Sequence, residues 1–252
     1  MLPKSKIKLI RSLEQKKYRV RHGLFVAEGP KTVEDLSVKF QCRYFCATEE
    51  WAEAAHQAFA GVEHDVVTSD ELRRVSFLEH PQQVLALFDI PETSEIPTVN
   101  TETLSLALDG IQNPGNIGTI VRIADWFGIK DIFCSESTAD VFNPKTVQAT
   151  MGSLARVNVT YTDLPALIAS LPGSFHVFGT FLDGRNIYTT DKPSAGLVVM
   201  GNEGRGITPD VEALVTDRIT IPNFNTAPNH ADSLNVAVAT AIVTSEFRRV
   251  SI

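Results

Sequence analysis

Residues 104–129 read LSLALDGIQNPGNIGTIVRIADWFGI, and this stretch decides the fold class. The opening run, Leu104 to Leu108, is nearly all apolar, as expected of a parallel strand covered on both faces. A polar turn follows, and then Ile117, Ile120, Val121, Ile123, Ala124 and Phe127 build an apolar helix wall. Asn116 is a natural N-cap for that helix. Arg122 then falls on its second turn, on a face shared with Thr119 and Trp126.

The same strand–helix alternation continues to the C-terminus. Further strand candidates are KDIFC (130–134), ARVNVTY (155–161), FHVFGTF (175–181), GLVVMG (196–201) and DRITIP (217–222). Helices are expected at KTVQATMG (145–152) and LNVAVATAIVTSEFRR (234–249). Such alternation predicts an α/β domain with a mainly parallel sheet. Toward the N-terminus, DIPETSEIPTVNTET (89–103) has two prolines, many hydroxyls and no sustained period, and so marks a boundary. We divide the chain into 1–95 and 96–252 on that basis. The first part reads as a small α/β unit with strands at LFVA (24–27), CRYFCA (42–47) and QVLALFDI (83–90). KIKLIRSLEQKKYR (6–19) reads as one amphipathic helix, and Pro30 suits the first turn of a helix over KTVEDLSVKF.

Composition excludes several classes. With 43% hydrophobic and 21% charged residues over 252 positions, the chain has the make-up of a soluble globular protein and not of a disordered one. No apolar run approaches the roughly 18 residues of a membrane span, and the N-terminus lacks a signal peptide's apolar stretch. Three cysteines, Cys42, Cys46 and Cys134, are too few for a disulfide framework and predict reduced thiols in the cytoplasm. The scattered histidines and the Cys42/Cys46 pair lack zinc spacing, so no metal is expected.

The net charge of −7 conceals an asymmetry. Residues 1–22 hold eight basic side chains against Glu14 alone, a local +7, which leaves −14 on the remainder. Read by itself, the basic segment is a solvated helix face or a local polyanion site.

Candidate chemistry lies in the loops after the strands, where open parallel sheets bind ligands. Arg122 can reach a phosphate or hydroxyl there; the plainer alternative is a surface pair with Asp125. Gly201, Gly204 and Gly206 follow GLVVMG and permit a tight turn with close backbone approach. Their order is not the dinucleotide fingerprint, so a nicotinamide oxidoreductase is poorly supported. Ser233 caps the last helix in the plain reading. A Ser233–His230–Asp232 triad is weak, because no nucleophile elbow exists.

Taken together, NPGNIGTIVRIADWFGI (113–129), LVVMGNEGRGI (197–207) and ITIP…DSLNVAVATAI (219–242) resemble motifs 1, 2 and 3 of the SpoU, or TrmH, family of RNA ribose methyltransferases. The resemblance covers about residues 104–250. It implies a SPOUT-type mainly parallel sheet with a C-terminal trefoil knot, a rare exception to unthreaded chains. The segment ending FVAEGPKTVEDL is similar to the family's small ribosomal-protein-like substrate-binding domain. This gives the basic helix a purpose: Lys16, Lys17, Arg19 and Arg21 would contact RNA phosphates.

The implied reaction is methyl transfer from S-adenosyl-L-methionine to a ribose 2′-OH, in ribosomal RNA before transfer RNA. A non-catalytic RNA-binding assembly factor is the alternative of another class. By resemblance, Asn116, Arg122, Glu203, Ser233 and Asn235 form the catalytic set. Arg122 stabilises the developing alkoxide or passes on its proton, and Asn116 orients Arg122 or holds the loop. The cofactor would meet Thr180, Leu182, Met200, Gly201, Glu203, Ile221, Ser233 and Leu234. The family further implies a homodimer whose partner lines the site. The loop between Ile221 and Ser233 is several residues longer than the family's usual connection, which predicts an added bulge at the cofactor mouth. It leaves the roles of Asn223, Asn225 and Asn229 open.

Overall fold

A computed structural model describes residues 2–92, 98–225, 227 and 231–249. The chain separates into two compact units: residues 1–94 with 140–156, and residues 95–139 with 157–252. A single cut near residue 95 therefore does not describe the division. Residues 140–156, far along the chain, cluster with the first unit.

The first unit begins with α1 (Lys4–Ser12) and α2 (Lys16–His22), then β1 (Leu24–Glu28), α3 (Pro30–Ser37) and β2 (Cys42–Ala47). It continues through α4 (Glu49–Ala55), β3 (Glu63–Val66), α5 (Ser69–Val75) and β4 (Val84–Asp89). The sheet order is β1-β4-β2-β3, with β4 antiparallel to both its neighbours and β3 parallel to β2. β3 was invisible in the sequence because EHDV has no apolar run. An edge strand bonded on one side does not need one. Ile10, Leu13, Val26, Tyr44, Leu85 and Leu87 share one buried cluster. Phe25 stacks on Phe88 and also meets Phe40 and Phe142, the last belonging to the 140–156 segment.

The single N-terminal helix expected from periodicity is two. Gln15 is extended at φ −93°, ψ 131°, and separates α1 from α2. The break is stabilised from inside: Arg19 Nη1 donates to the carbonyls of Leu13 (2.7 Å) and Glu14 (2.8 Å). Its Nε and Nη2 donate to Asp140 Oδ2 at 3.0 and 2.5 Å. Arg19 is 2% exposed.

The second unit carries β5 (Leu104–Asp109), α6 (Pro114–Trp126) and β6 (Asp131–Cys134). After α7 (Pro144–Thr150), which lies in the first unit, come β7 (Asn158–Tyr161), α8 (Leu164–Ala169) and β8 (Val177–Asn186). The chain then forms β9 (Gly196–Gly201), α9 (Pro209–Glu212), β10 (Asp217–Thr220) and α10 (Val236–Arg249). All six strands are parallel in the order β10-β8-β9-β5-β6-β7, and every strand expected here from the sequence is present. Helices cover both faces. Ala107, Leu197 and Val199 pack with Leu164, Leu167 and Val211 of α8 and α9. On the opposite face Phe178 meets Phe247 of α10 edge-on at 4.9 Å. α10 also packs on α6, and Arg248 donates to the Phe127 and Gly128 carbonyls at the end of that helix. The chain runs outward from β5 to β7 and returns on the other side through β8 and β9. That reversal leaves a crevice beyond the strand C-termini, between β5 and β9.

Candidate functional site

Three loops leave the C-terminal ends of β5, β9 and β10, and their polar residues are bonded in series. Asn235 Nδ2 donates to Asn116 Oδ1 at 3.1 Å, and Asn116 Nδ2 donates to Glu203 Oε1 at 2.5 Å. Residues 119 and 87 positions apart thus share one line of hydrogen bonds.

The helix caps explain how these side chains become available. α6 starts with Pro114 at its first position and is capped by Asn113, whose Oδ1 accepts from Gly115 N at 2.8 Å. Asn116 is therefore not the cap. It lies inside the first turn with its amide free to bridge the other two loops. Arg122 correspondingly falls in the third turn, not the second. At α10 the cap is Asn235, whose Oδ1 accepts from Ala237 N and Val238 N at 3.0 and 3.3 Å. Ser233 is displaced from that role and lines a cavity instead.

The loop after β9 is a closed five-residue turn. Asn202 and Gly206 exchange two backbone hydrogen bonds, at 3.0 and 2.9 Å. Gly206 has φ +73°, a conformation that favours glycine. Gly201 has no room for a side chain, since a Cβ there would overlap the Gly206 backbone. Asn202 Oδ1 accepts from the Gly204 and Arg205 amides, while its Nδ2 donates to Gly110 O at 2.8 Å. Asp109, 2% exposed, accepts from Thr208 N at 2.7 Å. Asn202 and Asp109 are positioning residues that periodicity could not reveal. The only local signal was a polar residue closing each apolar strand.

This turn, the end of β8 and residues 221–225 and 231–234 line a cavity of about 640 Å³, within the usual range for small-molecule sites. Thr180, Leu182, Met200, Gly201, Glu203, Ile221, Ser233 and Leu234 all line it. So do Ile187, Arg205, Asn223, Phe224 and Asn225, which the sequence did not single out as cofactor contacts. Its walls are largely apolar with a few hydrogen-bonding groups among them, the make-up of a small-molecule site. Asn229 and His230 lie outside the described residues.

Arg122 stands apart. It is exposed on α6, forms no ion pair among the described residues and does not line the cavity. The surface pair with Asp125, the plainer alternative from the sequence, is not formed among the described residues. One helical turn on, Trp126 is 85% exposed.

In the first unit, Lys16, Lys17 and Arg21 are exposed on α2. Arg19 is a correction to the expected RNA-facing set, because all its donors face inward to Leu13, Glu14 and Asp140. Among the described residues no group of three or more His, Cys, Asp or Glu could hold a metal ion. No helix there is long and apolar enough to cross a membrane.

Residues 103–245 match the SpoU rRNA Methylase family, and residues 4–86 match the MRM3-like substrate binding domain. A Porphyromonas gingivalis protein assigned to the TrmH family of RNA methyltransferases is 41% identical, with TM-score 0.87 and 99% of each chain covered. The AdoMet-bound rRNA methyltransferase of Sinorhizobium meliloti is 29% identical, with TM-score 0.86, covering 100% of this chain and 97% of that one. RlmP of Bacillus subtilis, a 23S rRNA (guanosine(2553)-2′-O)-methyltransferase, is 29% identical over 245 residues, 96% of each chain. The hydrogen-bonded motif loops, the six-stranded parallel sheet and these matches lead to one conclusion: the chain belongs to the SpoU rRNA methylase family.

Proposed function

We propose that this protein transfers a methyl group from S-adenosylmethionine to a ribose 2′-OH in RNA, with ribosomal RNA the substrate before transfer RNA. The observation that carries the reading is the hydrogen-bonded line Asn235–Asn116–Glu203, whose Glu203 end lines the 640 Å³ cavity. The cofactor supplies an electrophilic methyl group on a sulfonium. The protein's own task is to hold the ribose hydroxyl in line with it and to stabilise the charge that develops on oxygen. Met200, Gly201, Ile221 and Leu234 wall the site, and Asn116 and Asn235 hold Glu203, which lines it, in place. Such positioning can lower the barrier by several kcal/mol.

Arg122 is the remaining catalytic candidate. A guanidinium with pKa above about 12 is a poor base, so its role is to stabilise the alkoxide and position a phosphate. Its place outside this chain's cavity, with Trp126 exposed on the same helix face, supports a homodimer in which each copy's Arg122 completes the other's site. Exposed Lys16, Lys17 and Arg21 are the proposed RNA contacts of the first unit. We further propose a trefoil knot in the C-terminal motif loops and residence in the cytoplasm, where the thiols stay reduced. Family membership supports both. Arg122→Ala should abolish methyl transfer to ribosomal RNA while calorimetry still finds cofactor affinity. Equal loss of both would place Arg122 in the cofactor site instead.

A further inference from the structure

Phe224 is 80% exposed on the segment between Ile221 and Ser233, yet it lines the same cavity as Met200 and Gly201. No other large apolar side chain occurs between Ile221 and Ser233. Asn223 Oδ1 accepts from Asn225 N at 2.9 Å, a turn that spans Phe224 and holds its backbone. A ligand seated in such a cavity has about 70–90% of its surface covered, by walls like Met200, which is 2% exposed. Phe224 has the opposite disposition. It lines the cavity and yet leaves most of its surface to solvent, where a large substrate can reach it. Leu182 is the other apolar side chain of this cavity exposed to 80%. Arg205, which also lines it, is an exposed cation without an ion pair among the described residues.

An exposed aromatic ring, a second exposed apolar side chain on the same cavity and a guanidinium without an ion pair among the described residues together suit one kind of occupant. We propose that Phe224 is a substrate-positioning residue. Its ring stacks on the unpaired base of the nucleotide whose ribose is methylated, or of the nucleotide beside it, while Arg205 meets the adjoining phosphate. Proteins that recognise RNA by sequence generally take single-stranded bases and stack them on aromatic side chains. The charge and the flat ring are both complementary to such a nucleotide. The inference rests on the proposed RNA methyl transfer and adds where the base is held.

The test uses the full-length protein and ribosomal RNA extracted from a strain lacking it. RNA affinity is measured directly, cofactor affinity by calorimetry, and methyl transfer with labelled S-adenosylmethionine. Phe224→Ala should weaken RNA binding and kcat/KM for RNA by about tenfold to a hundredfold, the usual worth of one stacked base. Cofactor affinity should stay within about twofold, which also shows that the variant is folded. Phe224→Trp should restore RNA binding. Unchanged RNA affinity in Phe224→Ala overturns the proposal, as does a loss confined to cofactor affinity, which would make Phe224 part of the cofactor wall. A wild-type protein that binds RNA but transfers no methyl group contradicts the proposed activity alone. The RNA-affinity comparison still decides the role of Phe224.

Discussion

Arg19 and Arg21 lie two positions apart on α2, and the fold uses them in opposite ways. Arg21 is exposed, while Arg19 is buried and bonded to two carbonyls and to Asp140. Removing one partner of a buried ion pair leaves the other uncompensated, so Arg19→Ala should cost about 3 kcal/mol or more in urea unfolding. Arg19→Lys should recover little of it, since an ammonium lacks the planar fork that serves three acceptors. A cost below about 1 kcal/mol would mean that the pair is not structural. The thiols offer a second residue-scale prediction. Burial pushes the Cys42 thiol up to about 11 and the Cys46 thiol up to about 12, and burial raises Cys134 as well. All three should stay protonated and react slowly with a disulfide reagent at pH 8 until the protein is unfolded. The sign for stability follows. Folding favours the protonated thiols, so their contribution is complete below the unfolded pKa of about 8.5 and is lost as pH rises above it. A stability that climbs between pH 9 and 11 would contradict this.

At the scale of elements, the turn after β9 is the part least able to change. Gly201→Ala forces a Cβ against the Gly206 backbone and should destabilise the protein by about 1–3 kcal/mol while weakening cofactor binding. Gly204→Ala is the control, because its nearest neighbour, Asn202 Oδ1, lies at 3.6 Å. Equal effects of the two would remove the close-approach argument. The strands of the parallel sheet were legible in the sequence because burial on both faces leaves an apolar run, as in LSLALD and GLVVMG. The helix caps were not. Asn113 and Asn116 are both reasonable caps, and so are Ser233 and Asn235. Pro114 at the first helical position and the backbone amides that Asn235 reaches settle the choice. The consequence is that Asn116 is left to bond Glu203 and Ser233 to line the cavity. The break between α1 and α2 was hidden for a related reason. It depends on Arg19 folding back onto Leu13 and Glu14 and on a distant acid, Asp140, none of which has a signature in helical period.

For the whole molecule, charge is the quantity that most needed the structure. The −7 total and the +7 of residues 1–22 are both true, but neither is the charge that RNA would meet. Arg19 is internal, Lys6 pairs with Glu63, and Arg11 donates to the Ser76 carbonyl. Neutralising Lys16, Lys17 and Arg21 together should weaken RNA binding and lower its log–log salt slope by about 2, at roughly 0.7 per phosphate contact. An unchanged slope would separate α2 from the RNA. The motif loops were legible as a set because their order and residue types matched a family. Their hydrogen-bonded convergence was not, since it joins positions 116, 203 and 235 through the topology of the sheet. The central claim is that this convergence builds a ribose methyltransferase site. The most direct measurement incubates the purified protein and labelled S-adenosylmethionine with ribosomal RNA from a strain lacking the protein, then maps the product by mass spectrometry. The expected product carries one added methyl group on a ribose 2′-oxygen, absent with Arg122→Ala. A methyl group found on a base, or none transferred to any RNA, would contradict it.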